Sequence, residues 1–159
     1  MDVRAALAFV LVLVAVGCGG DDSLSRGEWA AQANTICLET LKRVEALGQP
    51  VTSDDYLRVT PKANELGRDA IERLRDLNAP NEIETDVLEM IDGYENAVAQ
   101  QDVVYRGMKA QREGTEPPNG EYWRAGNRAI EAGKAADVIA ERLQATDCAR
   151  DPWQAPSQT

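Results

Sequence analysis

From residue 25 onward, apolar residues recur every three or four positions, the spacing that keeps one face of a helix buried. The first stripe is Trp29, Ala33, Ile36, Cys37, Leu41, Val44 and Leu47. Ser25 opens it with Glu28 three residues later, the capping-box spacing in which each side chain answers the other's backbone N–H. Gly48 and Pro50 end it. Ser53-Asp54-Asp55 predicts a short helical piece that stalls near Thr60-Pro61, where Thr60 suits a cap and Pro61 the first position of a new helix. That second helix runs to about Asn78, with Ala63, Leu66, Ala70, Leu74 and Leu77 inward, until Ala79-Pro80 breaks it. A third helix starts near Asn81, where Glu82, Glu84 and Asp86 favour the positive end of the helix dipole. Its stripe of Ile83, Val87, Met90, Ile91, Tyr94, Val98, Val104 or Tyr105, and Met108 carries it to about Arg112. Gly114 to Gly120, with Pro117-Pro118, is a break. A fourth helix follows from about Glu121 to Ala145. No alternating strand pattern is present. The expected fold is all-α, a four-helix up-down-up-down bundle over residues 25–149, with a polar tail at 150–159 expected to be disordered.

The inward face of the fourth helix is unusual. Tyr122, Gly126, Ala129, Gly133, Ala136, Ala140 and Leu143 alternate in steps of four and three, with small residues in the middle. An interior Gly costs about 1 kcal/mol relative to Ala, so Gly126 and Gly133 call for compensation. Two readings stay open. The face is either a seam where a neighbouring helix approaches closely, or a groove for an apolar ligand or a partner helix.

Ahead of the helices, Ala5 to Val16 is an unbroken apolar run of twelve residues, against the roughly 20 that a membrane-spanning helix needs. With Arg4 before it and small residues after it, the run reads as a secretory segment. Its end, Ala15-Val16-Gly17-Cys18, resembles the bacterial lipobox, although Leu is usual where Ala15 stands. The resemblance implies cleavage before Cys18, a diacylglycerol thioether on it, and a place on the extracytoplasmic face of the cell membrane. Residues 18–24 have the small, polar composition of a tether. At about 3.4 Å per residue, the six residues from Gly19 to Leu24 would reach about 20 Å.

Two cysteines remain. Outside the cytoplasm, Cys37 and Cys148 predict a disulfide; two free thiols are the alternative. In an antiparallel bundle Cys37 sits about 18 Å up the first helix from Ser25 at 1.5 Å per residue, while Cys148 lies just past the fourth. A bridge therefore requires either that the first helix overhang the bundle, the expectation adopted, or that the chain after the fourth helix fold back.

The lipobox, the stretch Trp29-x-x-x-Ala33-x-x-Ile36-Cys37, a helix ended by Ala79-Pro80 and the late Cys148 together resemble small helical lipoproteins of high-GC Gram-positive bacteria. That resemblance implies anchoring and carries no reaction. The net charge of −10 repels phosphate backbones, so nucleic acid is not an expected partner. There is no His, which removes His-based triads and di-iron Glu-x-x-His pairs, and two Cys without His make a poor metal set. No phosphate loop, dinucleotide fingerprint or EF-hand spacing is present. Glu82, Asp86, Glu89 and Glu95 on the third helix read as a solvated face. Trp29 reads as core, Trp123 as core or rim. Trp153, in the tail, suits docking on the bundle, a partner or the membrane interface. The expected function is a non-catalytic anchored domain, without metal or cofactor, that binds an envelope protein or a small apolar ligand. Cys18, Trp123, Gly126, Gly133 and Trp153 are its candidate residues beside the cysteine pair. The alternative is an envelope enzyme whose carboxylates act on sugars or peptides.

Cys18→Ser should release the protein into the medium or leave it unprocessed, and mass spectrometry of the wild type should find an acylated Cys18. An unmodified N-terminus at another residue would remove the lipid anchor.

Overall fold

The computed structural model describes residues 23–115 and 120–152; Cys18, Pro117-Pro118 and Trp153 lie outside them. The described chain is helical, with four helices: α1 (Arg26–Glu45), α2 (Ser53–Arg75), α3 (Glu84–Arg112) and α4 (Glu121–Arg142). The start of α1 follows from its sequence. Ser25 Oγ accepts from Glu28 N–H, and the Glu28 carboxylate accepts from Ser25 N–H at 2.9 Å. Glu28 is held below its ordinary pKa by these bonds, the Ser25 hydroxyl first. Leu24, at the end of the expected tether, is tied to the domain: its N–H donates to Asn78 O at 2.9 Å, and its side chain packs on the core.

The expected stall at Thr60-Pro61 does not occur. α2 begins at Ser53, capped by Thr52 with its own capping box to Asp55, and runs unbroken through Pro61. Proline inside a helix costs about 3 kcal/mol. Burial on either side of it supplies the compensation, because Val59, Thr60, Asn64 and Leu66 are all inward while Pro61 itself is exposed. Asn64 adds a polar clamp. Its side-chain N–H donates to Asp102 Oδ1 on α3 at 2.7 Å, and Arg68 reaches the other oxygen of the same carboxylate. α2 then ends at Arg75, short of the expected Asn78, and α3 begins at Glu84 after a turn rather than at Asn81.

Each helix packs on the next in the chain: α1 on α2, α2 on α3, and α3 most extensively on α4. The core draws on the first half of α1 (Trp29, Ile36), the last half of α2 (Leu74), the first half of α3 (Met90, Ile91) and the end of α4 (Leu143). Exposed ion pairs follow the same order, with Arg73 to Glu39, Arg75 to Glu95 and Arg142 to Asp86. At about 0–1 kcal/mol each they set register rather than stability. No Cα of α1 comes within 8 Å of one of α4, so the outer helices are held together by other means.

The link is made by the chain that follows α4. Gln144 takes a left-handed conformation, φ 64°. Its N–H donates to Glu141 O, and Ala145 N–H reaches back to Ala140 O at 2.9 Å. These are the two bonds of a Schellman ending. They reverse the chain, which then runs along α1: Asn34 donates to Gln144 O and accepts from Asp147 N–H, both at 2.8 Å. Cys148 then meets Cys37, with Cα atoms 4.9 Å apart and the sulfurs at bonding distance. The overhang expected of α1 is therefore replaced by the fold-back. Arg26 at the start of α1 already bonds Arg142 O at the end of α4, so the two ends are level and the returning segment covers the remaining height.

A bridge across 111 residues stabilises by about 4–5 kcal/mol in the chain-entropy model. Cys37→Ala and Cys148→Ala should each lower the melting temperature, and the double variant should match either single one, because both remove one bond. Additive losses, or thiols that label readily in the native protein, would mean that the cysteines act separately.

Candidate functional site

Because α1 and α4 do not pack against each other, a cavity of about 540 Å³ opens between them. Leu41 and Val44 of α1 form one wall, and Ala129, Ile130 and Gly133 of α4 the other. Ala63, Ile71 and Leu74 of α2 and Ala97 and Val98 of α3 lie beneath. The chain from Asp147 to Pro152 lines one end together with the Cys37–Cys148 bridge. The walls are mostly aliphatic.

The polar groups gather at that end. The Tyr94 hydroxyl lies 3.0 Å from Asp137 Oδ1 and 3.1 Å from Cys148 O. A phenol has one proton, so it donates to one of these acceptors at a time. Burial pushes the Asp137 carboxyl above its ordinary pKa, and the charges of Glu141 and Asp151 push it the same way. The hydrogen bond from Tyr94 pulls it back in part. Burial also raises the Tyr94 phenol, helped by the neighbouring Asp137 and Glu141 charges. Lys134, one turn before Asp137, is exposed and also lines the cavity. Thr40 Oγ1, in the α1 wall, is buried with no hydrogen-bond partner among the described residues.

The candidate residues of α4 divide between two roles. Gly133 lines the cavity, as Ala129 does. A methyl added at Gly133 would find its nearest neighbour, Ala97 Cβ, at 4.0 Å, and one at Gly126 would find Val104 Cγ2 at 3.7 Å. Neither glycine is required by a close approach. The tight seam is nonetheless real, and its glycines are on α3. A Cβ at Gly93 would lie 2.9 Å from Ala136 Cβ, and one at Gly107 would lie 2.7 Å from Tyr122 Cβ. Ala125, Ala129, Ala136 and Ala140 supply the matching buried small face of α4. The sequence signal for the α3 pair was available, because Gly93 and Gly107 are two heptads apart and so share a face. Large residues dominate the apolar spacing of α3, so the two glycines do not stand out in it.

Trp123 is 66 % exposed, its ring stacked at a tilt on Tyr122 with centroids 4.8 Å apart. It sits outside the cavity lining and away from Cys37 and Cys148. Trp29 is fully buried, as its stripe implies. The carboxylates expected on the third helix form a surface: Asp86 and Glu95 of α3 pair with arginines, and Glu89 of α3 and Glu82, in the turn before it, are exposed. Among the described residues no group of His, Cys, Asp and Glu is placed to hold a metal, and no helix is long and apolar enough to cross a membrane. Asp137, which belongs to none of the apolar stripes, is the carboxylate that the fold brings into the cavity. No family model, curated protein or solved structure matches the chain.

The glycines separate by substitution. Gly133→Ala should be neutral or stabilising, by up to about 1 kcal/mol of helix propensity. Gly93→Ala should lose stability, since overpacking costs about 1–3 kcal/mol and the backbone Ala132 O also stands 3.4 Å away. Urea denaturation midpoints measure both; equal midpoints would place the seam elsewhere.

Proposed function

We propose that the chain is a lipid-anchored extracytoplasmic protein whose helical domain binds a small apolar ligand, without catalysing a reaction, in the groove between α1 and α4. One observation carries the binding reading. A cavity of about 540 Å³ with largely aliphatic walls falls within the roughly 300–1,000 Å³ of small-molecule sites. The alternating halves that meet in the core support an up-down-up-down arrangement, opened along the α1–α4 edge. The lipobox resemblance at Cys18 supports the anchor, with the tether ending where Leu24 joins the domain. The acidic composition argues against nucleic acid as a partner.

The exposed apolar residues of α4 support a second, protein-binding reading, since Trp123, Ile130 and Val138 are each more than half exposed. Aromatic residues are enriched at interfaces. An envelope enzyme finds its best support in Asp137, one carboxylate with a raised pKa, where glycoside hydrolysis ordinarily uses a facing pair.

Native mass spectrometry with 1-decanol should show one bound molecule per chain. Gly133→Leu places a side chain in the cavity and should lower that affinity about tenfold or more, while costing less stability than Gly93→Ala. Binding unaffected by Leu at position 133 would move the ligand out of this groove.

A further inference from the structure

The segment that roofs one end of the groove is held differently on its two sides. On the α1 side the Cys37–Cys148 bond fixes it covalently, and Asn34 bonds Gln144 O and Asp147 N–H, both at 2.8 Å. On the side of α3 and α4, the Tyr94 hydroxyl lies 3.1 Å from Cys148 O. The same hydroxyl lies 3.0 Å from Asp137 Oδ1. A phenol has one proton, here shared between two acceptors. While Asp137 is ionised, that proton goes to the carboxylate, because a charged acceptor makes the stronger bond. Cys148 O then faces the phenol oxygen with no proton between them. A protonated Asp137 changes the count. Its own O–H donates to the Tyr94 oxygen, and the Tyr94 O–H turns to Cys148 O. Two protons then join three oxygens in a chain from α4 through α3 to the returning segment.

We propose that Tyr94 and Asp137 form a proton-operated latch: protonating Asp137 bonds the segment 147–152 to α3 and closes the roof across the groove, and ionising it releases the roof on that side. The groups around Asp137 set where the latch works. Tyr94 faces it from α3, Lys134 and Glu141 from α4, and Asp147, Arg150 and Asp151 from the returning chain. Arg150 and Asp147 pair with each other at 3.0 Å. The residues of α1 and α2 that line the groove carry no charge. Burial, followed by the Glu141 and Asp151 charges, raises Asp137 above an ordinary carboxylate, against the pull of the Tyr94 hydrogen bond. The folded chain therefore takes up this proton at a higher pH than the unfolded chain does. The stabilisation is absent above the raised value and grows as the pH falls toward the ordinary one. Tyr94 keeps its proton throughout, since burial raises the phenol further. The latch belongs to the fold and works with the groove empty or occupied.

Hydrogen–deuterium exchange of the full chain, read by mass spectrometry over residues 146–152, measures the latch. The Asp147, Cys148 and Ala149 N–H groups are hydrogen-bonded in the closed form, so their exchange reports opening. Variants are compared with wild type at the same pH, which cancels the pH dependence of exchange itself. Asp137→Asn keeps a donor toward the Tyr94 oxygen at every pH. It should exchange about threefold or more slowly than wild type at about pH 8, and the two should converge as the pH falls to about 4. Tyr94→Phe should show the opposite profile, close to wild type at the higher pH and faster at the lower. Adding Asp137→Asn to Tyr94→Phe should change nothing, because the phenol that links the two sites is gone. A slowing by Asp137→Asn that persists in the Tyr94→Phe background would mean that Asp137 acts on the segment by its charge alone, and would overturn the latch. Equal exchange of wild type and Asp137→Asn at the higher pH would overturn it as well.

Discussion

The turn at Gln144 is the constraint on which the remaining architecture depends. α1 and α4 stand too far apart to pack, and the residues after α4 close the gap between them by reversing at a left-handed residue and running back along α1. Asn34 grips that returning segment from both sides, as donor to Gln144 O and acceptor from Asp147 N–H. The Cys37–Cys148 bond then makes the closure covalent. A left-handed non-Gly residue carries a cost of roughly 1–2 kcal/mol. Burial of Ala145 and Leu143, both fully enclosed, together with the two Schellman hydrogen bonds, offsets it.

The same closure creates the site. A bundle whose first and last helices met along their length would fill the space between them with side chains. Here α4 is drawn toward α3 instead, because Gly93 and Gly107 let Ala136 and Tyr122 sit almost against the α3 backbone. Close packing on one side of α4 leaves room on the other, and the returning chain roofs one end of that room. Tyr94 reaches across from α3 to Asp137 on α4 and to the Cys148 carbonyl. The polar end of the cavity thus assembles from three elements that are distant in sequence, at the place where the disulfide holds them in register.

A continuous α2 shows how tertiary burial outweighs local preference. Thr60-Pro61 carries the local signal of a helix boundary, yet the helix passes through it. The stripe from Val59 to Leu74 faces α1 and α3, and the Asn64 and Arg68 contacts to Asp102 pin the segment after the proline to α3. Breaking the helix at Pro61 would expose that stripe and strand buried polar groups, which costs more than one missing N–H bond.

What the sequence by itself determined follows from local periodicity and chemistry. Spacings of three and four imposed four helices, Ser25 with Glu28 set the start of α1, Gly48 and the stretch from Gly114 to Gly120 separated the helices, and the leftover cysteine pair implied the bridge. Those signals act over a few residues, or by elimination, so one chain suffices to read them. The path by which Cys148 reaches Cys37, the placing of the close-approach glycines on α3 rather than at Gly126 and Gly133, and the meeting of Tyr94, Asp137 and the Cys148 carbonyl were decided only by the tertiary structure. Each depends on the rotation and separation of helices about their neighbours, which periodicity leaves free: it says which face of a helix turns inward, and not how near the next helix comes or which residue it meets there.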